Sequence, residues 1–162
     1  MKKLIVSCAL MVITLVSYAQ TYKMYSTRNY HNQLRLNTMT GEVQQIQDDG
    51  QSWEICSARE ASGDKVGRFC LYETQNMWTF ILLDSYNGRL WQVQYSTQDL
   101  DNLFCIPINK YELVSDNEKC IFSIQPLTSM YQYYLINDNT GDMWKFQWST
   151  KGDDYRWIEK FK

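Results

Sequence analysis

The chain has 162 residues and a formal net charge of −2, is 44% hydrophobic, and carries six Trp, twelve Tyr and six Phe against a single His. A hydrophobic share of that size excludes a disordered chain, and one imidazole excludes zinc centres built on two or more. The length suits one domain.

Residues 1–19 read as a secretory signal peptide. Lys2 and Lys3 form a short positive region, and Leu4 to Val16 is apolar apart from Ser7 and Thr14. Ser17 and Ala19 then place small residues at −3 and −1 of a cleavage site after Ala19. The expected product is an exported chain of residues 20–162, periplasmic or extracellular. No later stretch is long and apolar enough for a transmembrane helix, so no membrane span is expected in the mature chain. Loss of two lysines leaves it more acidic, and no basic run follows, which argues against nucleic acid as a partner. Cys56, Cys70, Cys105 and Cys120 remain. An even number in an exported protein permits disulfides, with three pairings open. No C-x-x-C spacing occurs, so neither a thioredoxin-like redox motif nor a zinc knuckle is expected.

From Tyr22 onward the chain repeats itself three times without gaps over about 29 residues, the signature of a repeat architecture. The copies span about 22–68, 69–121 and 122–162. Gly41, Gly88 and Gly141 coincide, as do Gln47, Gln94 and Gln147 six residues later. Asn37, Asp84 and Asn137 coincide four residues before the glycine, and Trp91 matches Trp144, with Gln44 in the first copy. Each copy reads as strand, strand, hairpin turn, strand. The glycine supplies φ > 0, and the Asn or Asp at the strand end accepts backbone N–H bonds across the turn. In 90–95, Trp91, Val93 and Tyr95 share one face, and Leu90, Gln92 and Gln94 the other. Trp78 to Leu83 is apolar on both faces and is expected to be central. A fourth strand follows near 53–55, 103–108 and 155–158, and Pro107 assigns the middle one to an edge. The expected fold is all-β: three repeats of about four antiparallel strands in a pseudo-three-fold closed domain, propeller-like or β-trefoil-like. A propeller needs at least about four blades, so three copies fall short of one.

The segment Leu82 to Trp91, with its Asp84-Ser-Tyr-Asn-Gly88 turn, resembles the strand–turn–strand motif of quinoprotein-type propeller blades, where such a turn leads to a docking Trp. Asn137 to Trp144 resembles it as well. Three copies are fewer than that family's blades, so the resemblance implies a blade-like strand–turn–strand unit and no quinone site. The whole chain is also similar to small secreted bacterial β-repeat proteins of unknown function, which implies a compartment and no chemistry.

Few residues suggest catalysis. His31 falls where Trp78 and Tyr131 stand in the other copies, so it reads as a packing site, and no nucleophile motif accompanies it. Asp84, Asp99, Asp101, Glu112 and Asp138 are the carboxylates available to a glycosidase-like pair. Asn137 to Asp142 lacks the spacing of an EF-hand and reads as a turn rather than a calcium loop. No catalytic residue, metal site or cofactor is therefore expected. Ligand contact is assigned to Gln47, Gln94 and Gln147, as amides able to converge near an axis, and to Trp91, Trp144, Trp148 and Tyr95, whose rings suit sugar or protein faces. The expected function is non-enzymatic binding of a partner protein or glycan. A small glycan hydrolase and a periplasmic inhibitor or immunity-type protein are the alternatives.

Overall fold

The computed structural model describes residues 20–115 and 121–161. Residues 1–19, read above as a signal peptide, and Cys120 lie outside the described residues. Each repeat folds into its own four-stranded antiparallel meander. Sheet 1 holds β1 (Tyr22–Ser26), β2 (Asn32–Asn37), β3 (Val43–Gln47) and β4 (Ser52–Cys56). Sheet 2 holds β5 (Phe69–Glu73), β6 (Thr79–Asp84), β7 (Leu90–Gln94) and β8 (Phe104–Pro107). Sheet 3 holds β9 (Phe122–Pro126), β10 (Gln132–Asn137), β11 (Met143–Gln147) and β12 (Trp157–Lys160). Helix is limited to two short 3-10 turns, Leu100–Asn102 and Asp153–Tyr155. No helix among the described residues is long and apolar enough to cross a membrane.

The repeated Asn/Asp–Gly turn is the same in all three sheets. The N–H groups of Gly41, Gly88 and Gly141 donate to the carbonyls of Asn37, Asp84 and Asn137 at 2.9, 3.0 and 2.8 Å. The side-chain oxygen of each of those residues accepts an N–H two residues on, from Met39, Tyr86 and Asn139. The glycines sit at φ 80°, 77° and 75°, which a residue with a Cβ adopts only at a cost. Their surroundings differ. A Cβ on Gly41 would lie 2.7 Å from the Ala61 carbonyl oxygen, and one on Gly88 3.0 Å from Leu113, whereas nothing lies within 4 Å at Gly141. Gly141→Ala is therefore expected to cost about 1 kcal/mol, from backbone strain alone. Gly88→Ala is expected to cost a further ~1–3 kcal/mol of overpacking, a difference that urea unfolding of the two variants will read.

Alternation along the strands assigns one face of each sheet to the repeat before it and the other to the repeat after it. Leu34, Leu36 and Val43 of sheet 1 pack with Phe80, Leu82 and Trp91 of sheet 2 in one core. Ile81, Leu83 and Leu90, on the other face of sheet 2, pack with Tyr133, Leu135 and Phe146 of sheet 3 in a second. Sheet 2 thus lies between the other two. Every residue of its strand β6 is buried, as a strand apolar on both faces requires, and β8 with Pro107 is the edge. In a β-trefoil, strands of different repeats share one hydrogen-bonded barrel. Here each repeat keeps its ladders to itself, and the sheets are not closed into a barrel. The expected pseudo-three-fold closure is not made by these sheets, whose described cores join sheet 1 to 2 and sheet 2 to 3.

The outward faces of the end sheets differ from their inward counterparts. Trp91, Val93 and Tyr95 face sheet 1, and Trp144, Phe146 and Trp148 face sheet 2. The matching residues of sheet 1 are Gln44, Ile46 and Asp48. On the opposite side, Leu90 and Gln92 of sheet 2 are matched in sheet 3 by Met143 and Lys145, both half-buried. The outer faces, which no other sheet of the chain covers, thus carry more polar residues than the inner ones.

Polar groups also tie the sheets together. The Gln45 amide, fully buried, donates to the Ser96 carbonyl (2.8 Å) and accepts from the Ser96 N–H (3.3 Å). Gln92, its equivalent one sheet on, accepts from the Ser149 N–H at 3.2 Å. Gln45 also donates to Asn32 at 2.6 Å, but the residue matching Asn32 in sheet 2 is Thr79. There the Gln92 amide nitrogen and the Thr79 hydroxyl are buried without a protein partner. Thr79→Asn reproduces the sheet 1 pairing and is expected to raise stability by about 1 kcal/mol, seen as a higher urea midpoint.

Candidate functional site

The three repeated glutamines do not meet at one point. Gln47, Gln94 and Gln147 each line a separate hollow at the same end of their own sheet, where β2, β6 and β10 begin and β3, β7 and β11 end. Gln94 donates to the Asn102 carbonyl at 3.4 Å. Gln147 donates to the Tyr155 carbonyl at 3.0 Å and accepts from Gln132 at 2.9 Å. The Gln94 and Gln147 amides thus hold the loop after the third strand in place, and the polar floor that each makes is local to its own sheet.

The aromatic residues assigned to ligand contact are placed in the cores. Trp91 is 2% exposed, Tyr95 1%, Trp144 6% and Trp148 0%. Their rings fill the two inter-sheet layers, with Phe69 against Trp91 at 6.3 Å and Phe122 against Trp144 at 5.7 Å between centroids. Burial raises the Tyr95 phenol above its ordinary pKa. What remains accessible at the hollows of sheets 2 and 3 is a second aromatic in each. Trp78 packs on Tyr95 (5.2 Å), and Tyr131 on Trp148 (4.9 Å), at the same tilt.

In the first copy this aromatic pair is replaced by His31 and Asp48, whose ring nitrogen and carboxylate lie 2.6 Å apart at the surface. The hydrogen bond from His31 holds the Asp48 carboxyl below its usual pKa. The exchange follows from position. Tyr95 and Trp148 face a preceding sheet, whereas Asp48 is exposed. His31 is thus the polar member of a repeated packing pair, and no nucleophile adjoins it in its hollow, which is lined by Tyr30, Gln33, Ile46, Gln47 and Asp48.

The hollows differ in chemistry. That of sheet 3, about 180 Å³, is lined by Tyr131, Gln147, Ser149, Thr150, Lys151 and Tyr155 around the edge of Trp148. Tyr131 is 38% exposed and Tyr155 51%. That of sheet 2, about 560 Å³, has Trp78 beside Gln94, Ser96, Thr97, Gln98, Asp99 and Asn102. The residues that sequence reasoning passed over, Tyr155, Lys151, Gln98 and Asn102, come from irregular connectors. The signal that could have found them is the Ser-Thr pair that follows Tyr95 and Trp148 alike.

The candidate carboxylates are dispersed. Asp84 is 1% exposed and forms a two-pronged ion pair with Arg68. Asp99 accepts the Asp101 N–H at 3.0 Å and caps a 3-10 turn. Glu112 accepts from Asn87, and Asp138 from Ser123. Of these five only Asp99 lines one of the hollows described here. Asn137 to Asp142 forms the hairpin turn that its sequence predicts.

Cys56, Glu60 and Cys105 bring two sulfurs and a carboxylate within 4.8 Å of one another. Cys56 and Cys105 are joined as a disulfide, so the sulfurs are not thiolate ligands in this state. Compared with known proteins, the chain matches no family model, no curated protein and no solved structure.

Proposed function

We propose that the chain is an exported, non-enzymatic β-repeat protein that binds a glycan through the hollows of sheets 2 and 3. The observation that carries this reading is the sheet 3 hollow, where the half-open rings of Tyr131 and Tyr155 flank the Gln147 amide, the Thr150 hydroxyl and Lys151. Aromatic faces beside amides and hydroxyls match a sugar ring, apolar on its faces and polar on its rim. The sheet 2 hollow repeats that chemistry with Trp78, Gln94, Gln98, Asp99 and Asn102. Export is supported by the pattern of residues 1–19 and by the Cys56–Cys105 disulfide, which suits an oxidising compartment.

The hydrolase reading asks for two carboxylates across one cleft, and Asp99 stands as the single carboxylate of its hollow. An inhibitor or immunity role would act through a surface patch, and Tyr30 (85% exposed) and Tyr111 (80%) are the most open aromatics for one.

A glycan array probed with the purified chain tests the proposal. Binding to a defined set of glycans, lost on Tyr155→Ala and on Trp78→Ala with the fold retained, is the expected result. Silence on the array, or binding untouched by both substitutions, overturns it.

A further inference from the structure

The two internal junctions share a set of paired contacts. The turn glycine of one sheet is covered by the first aromatic of the next: a Cβ on Gly41 would lie 3.0 Å from the Phe69 ring, and one on Gly88 3.1 Å from Phe122. That same aromatic donates its N–H back across the junction, Phe69 to the Thr38 carbonyl (2.9 Å) and Phe122 to the Ser85 carbonyl (3.0 Å). A buried glutamine, Gln45 or Gln92, then bonds the main chain of Ser96 or Ser149.

The outer faces carry the separated halves of the same set. On sheet 3, Gly141 is exposed with nothing within 4 Å, Asp138 occupies the place of Thr38 and Ser85, and Lys145 that of the glutamines. On sheet 1, Tyr22 occupies the place of Phe69 and Phe122 and is 56% exposed. Met24 occupies that of Leu71 and Ile124 and is 49% exposed. Asp49 stands where Ser96 and Ser149 stand. The slot that pairs Gln with Ser inside the molecule is thus filled by Lys on one outer face and Asp on the other. Sheet 3 also keeps apolar or aromatic residues, Tyr134, Ile136 and Met143, where sheets 1 and 2 have their inward leucines, isoleucine and valine. Arg35 covers one side of Tyr22, Asp49 accepts from Gln51 and Lys145 lies over Trp157, yet Tyr22 and Met24 keep about half of their surface open and the opposite charges stand in matched slots, the complementarity of two faces that meet.

We propose that the occupant of both faces is a second copy of this chain, stacked head to tail, with sheet 3 of each copy on sheet 1 of the other. Tyr22 then covers Gly141 of its partner copy, its N–H meets the Asp138 carbonyl, and Lys145 meets Asp49. Two such junctions close a ring of six sheets, within the four to eight of closed propellers. Closure also ends the growth that a head-to-tail contact otherwise continues.

Sedimentation equilibrium of the full chain across a concentration series, with a charge swap, tests this. The expected mass is that of two chains. Lys145→Glu places like charges together and is expected to weaken association by roughly tenfold or more. Adding Asp49→Lys to the same chain is expected to restore it, and circular dichroism will confirm that each variant is folded. Tyr22→Ser is expected to weaken association independently of charge. A monomer at every concentration, a dimer indifferent to these substitutions, or an open series of larger species overturns the proposal. The glycan reading stands or falls separately, because its hollows lie at the strand ends and its readout is the array.

Discussion

Arg68→Ala is expected to lower the unfolding free energy by about 3–5 kcal/mol, because it removes the guanidinium that bonds both oxygens of a buried carboxylate. Arg68 is 5% exposed and Asp84 1%. The guanidinium bonds both carboxylate oxygens, at 2.9 and 2.7 Å, and lies over the rings of Phe69 and Tyr86. Asp84 also accepts the Tyr86 N–H, so the turn before Gly88 hangs on the same carboxylate. Arg68→Lys should recover only part of the loss, since an ammonium cannot span both oxygens. The repeat supplies a sharper control. Where sheet 2 has Arg68 with Asp84, sheet 3 has Ile121 with Asn137 and sheet 1 has Thr21 with Asn37. Asn caps the turn in both of those sheets without a charge to neutralise. Arg68→Ile with Asp84→Asn is therefore expected to fall within about 1 kcal/mol of the wild type, as neutral replacements of buried ion pairs often do. Urea unfolding of the two single variants and the double variant gives the coupling energy directly. A double variant as unstable as Arg68→Ala would mean that the loss comes from ring packing, not from the broken Arg68–Asp84 ion pair.

The same comparison between copies shows what could be read before any coordinates. Strands and turns were legible because their causes are local. The Asn or Asp four residues before Gly41, Gly88 and Gly141 forms one set of bonds in all three places. Alternation in 90–95 correctly split Trp91, Val93 and Tyr95 from Leu90 and Gln92. The arrangement of the sheets is harder to read from the repeat. Three-fold symmetry suggests closure when the copies are averaged, but the information lies in their differences. Gln44 and Asp48 in place of tryptophan and tyrosine, and Lys145 in place of Gln92, mark sheets whose outer faces no other sheet of the chain covers. The burial of the four assigned aromatic residues has the same cause. Trp91, Trp144, Trp148 and Tyr95 recur because each junction needs a bulky layer, so recurrence selected core residues. Gln98 and Lys151, like Asn102 and Tyr155, stand at matched places in the connectors of sheets 2 and 3, but the residue types differ between the copies, so identity alone does not mark them, and only the Ser-Thr pair before them is shared.

Removing the Cys56–Cys105 disulfide is expected to cost about 4 kcal/mol, by the loop-closure relation for a cross-link spanning 49 residues. The bond joins β4, the last strand of sheet 1, to β8, the last strand of sheet 2. These strands share a core but no strand ladder, so little besides side-chain packing opposes their separation once the bond is gone. At the next junction the corresponding edge is a cleft of about 350 Å³ between Ile106–Ile108 and the Asp153–Arg156 segment. Among the described residues, the first junction is the one that a disulfide staples. Cys56→Ala with Cys105→Ala should lower the urea midpoint under oxidising conditions. Reductant should lower the wild type toward the same value while moving the double variant far less. The reduced samples need a chelator, because reduction frees two thiols beside the Glu60 carboxyl, a set that a soft divalent metal would bind and so restore part of the lost stability. Without chelator, added zinc should raise the midpoint of the reduced wild type and leave the double variant unmoved. A wild type whose midpoint ignores reductant, with chelator present and the thiols shown by alkylation to be free, would assign the stability of this junction to packing and to hydrogen bonds such as Gln45–Ser96 and Phe69–Thr38.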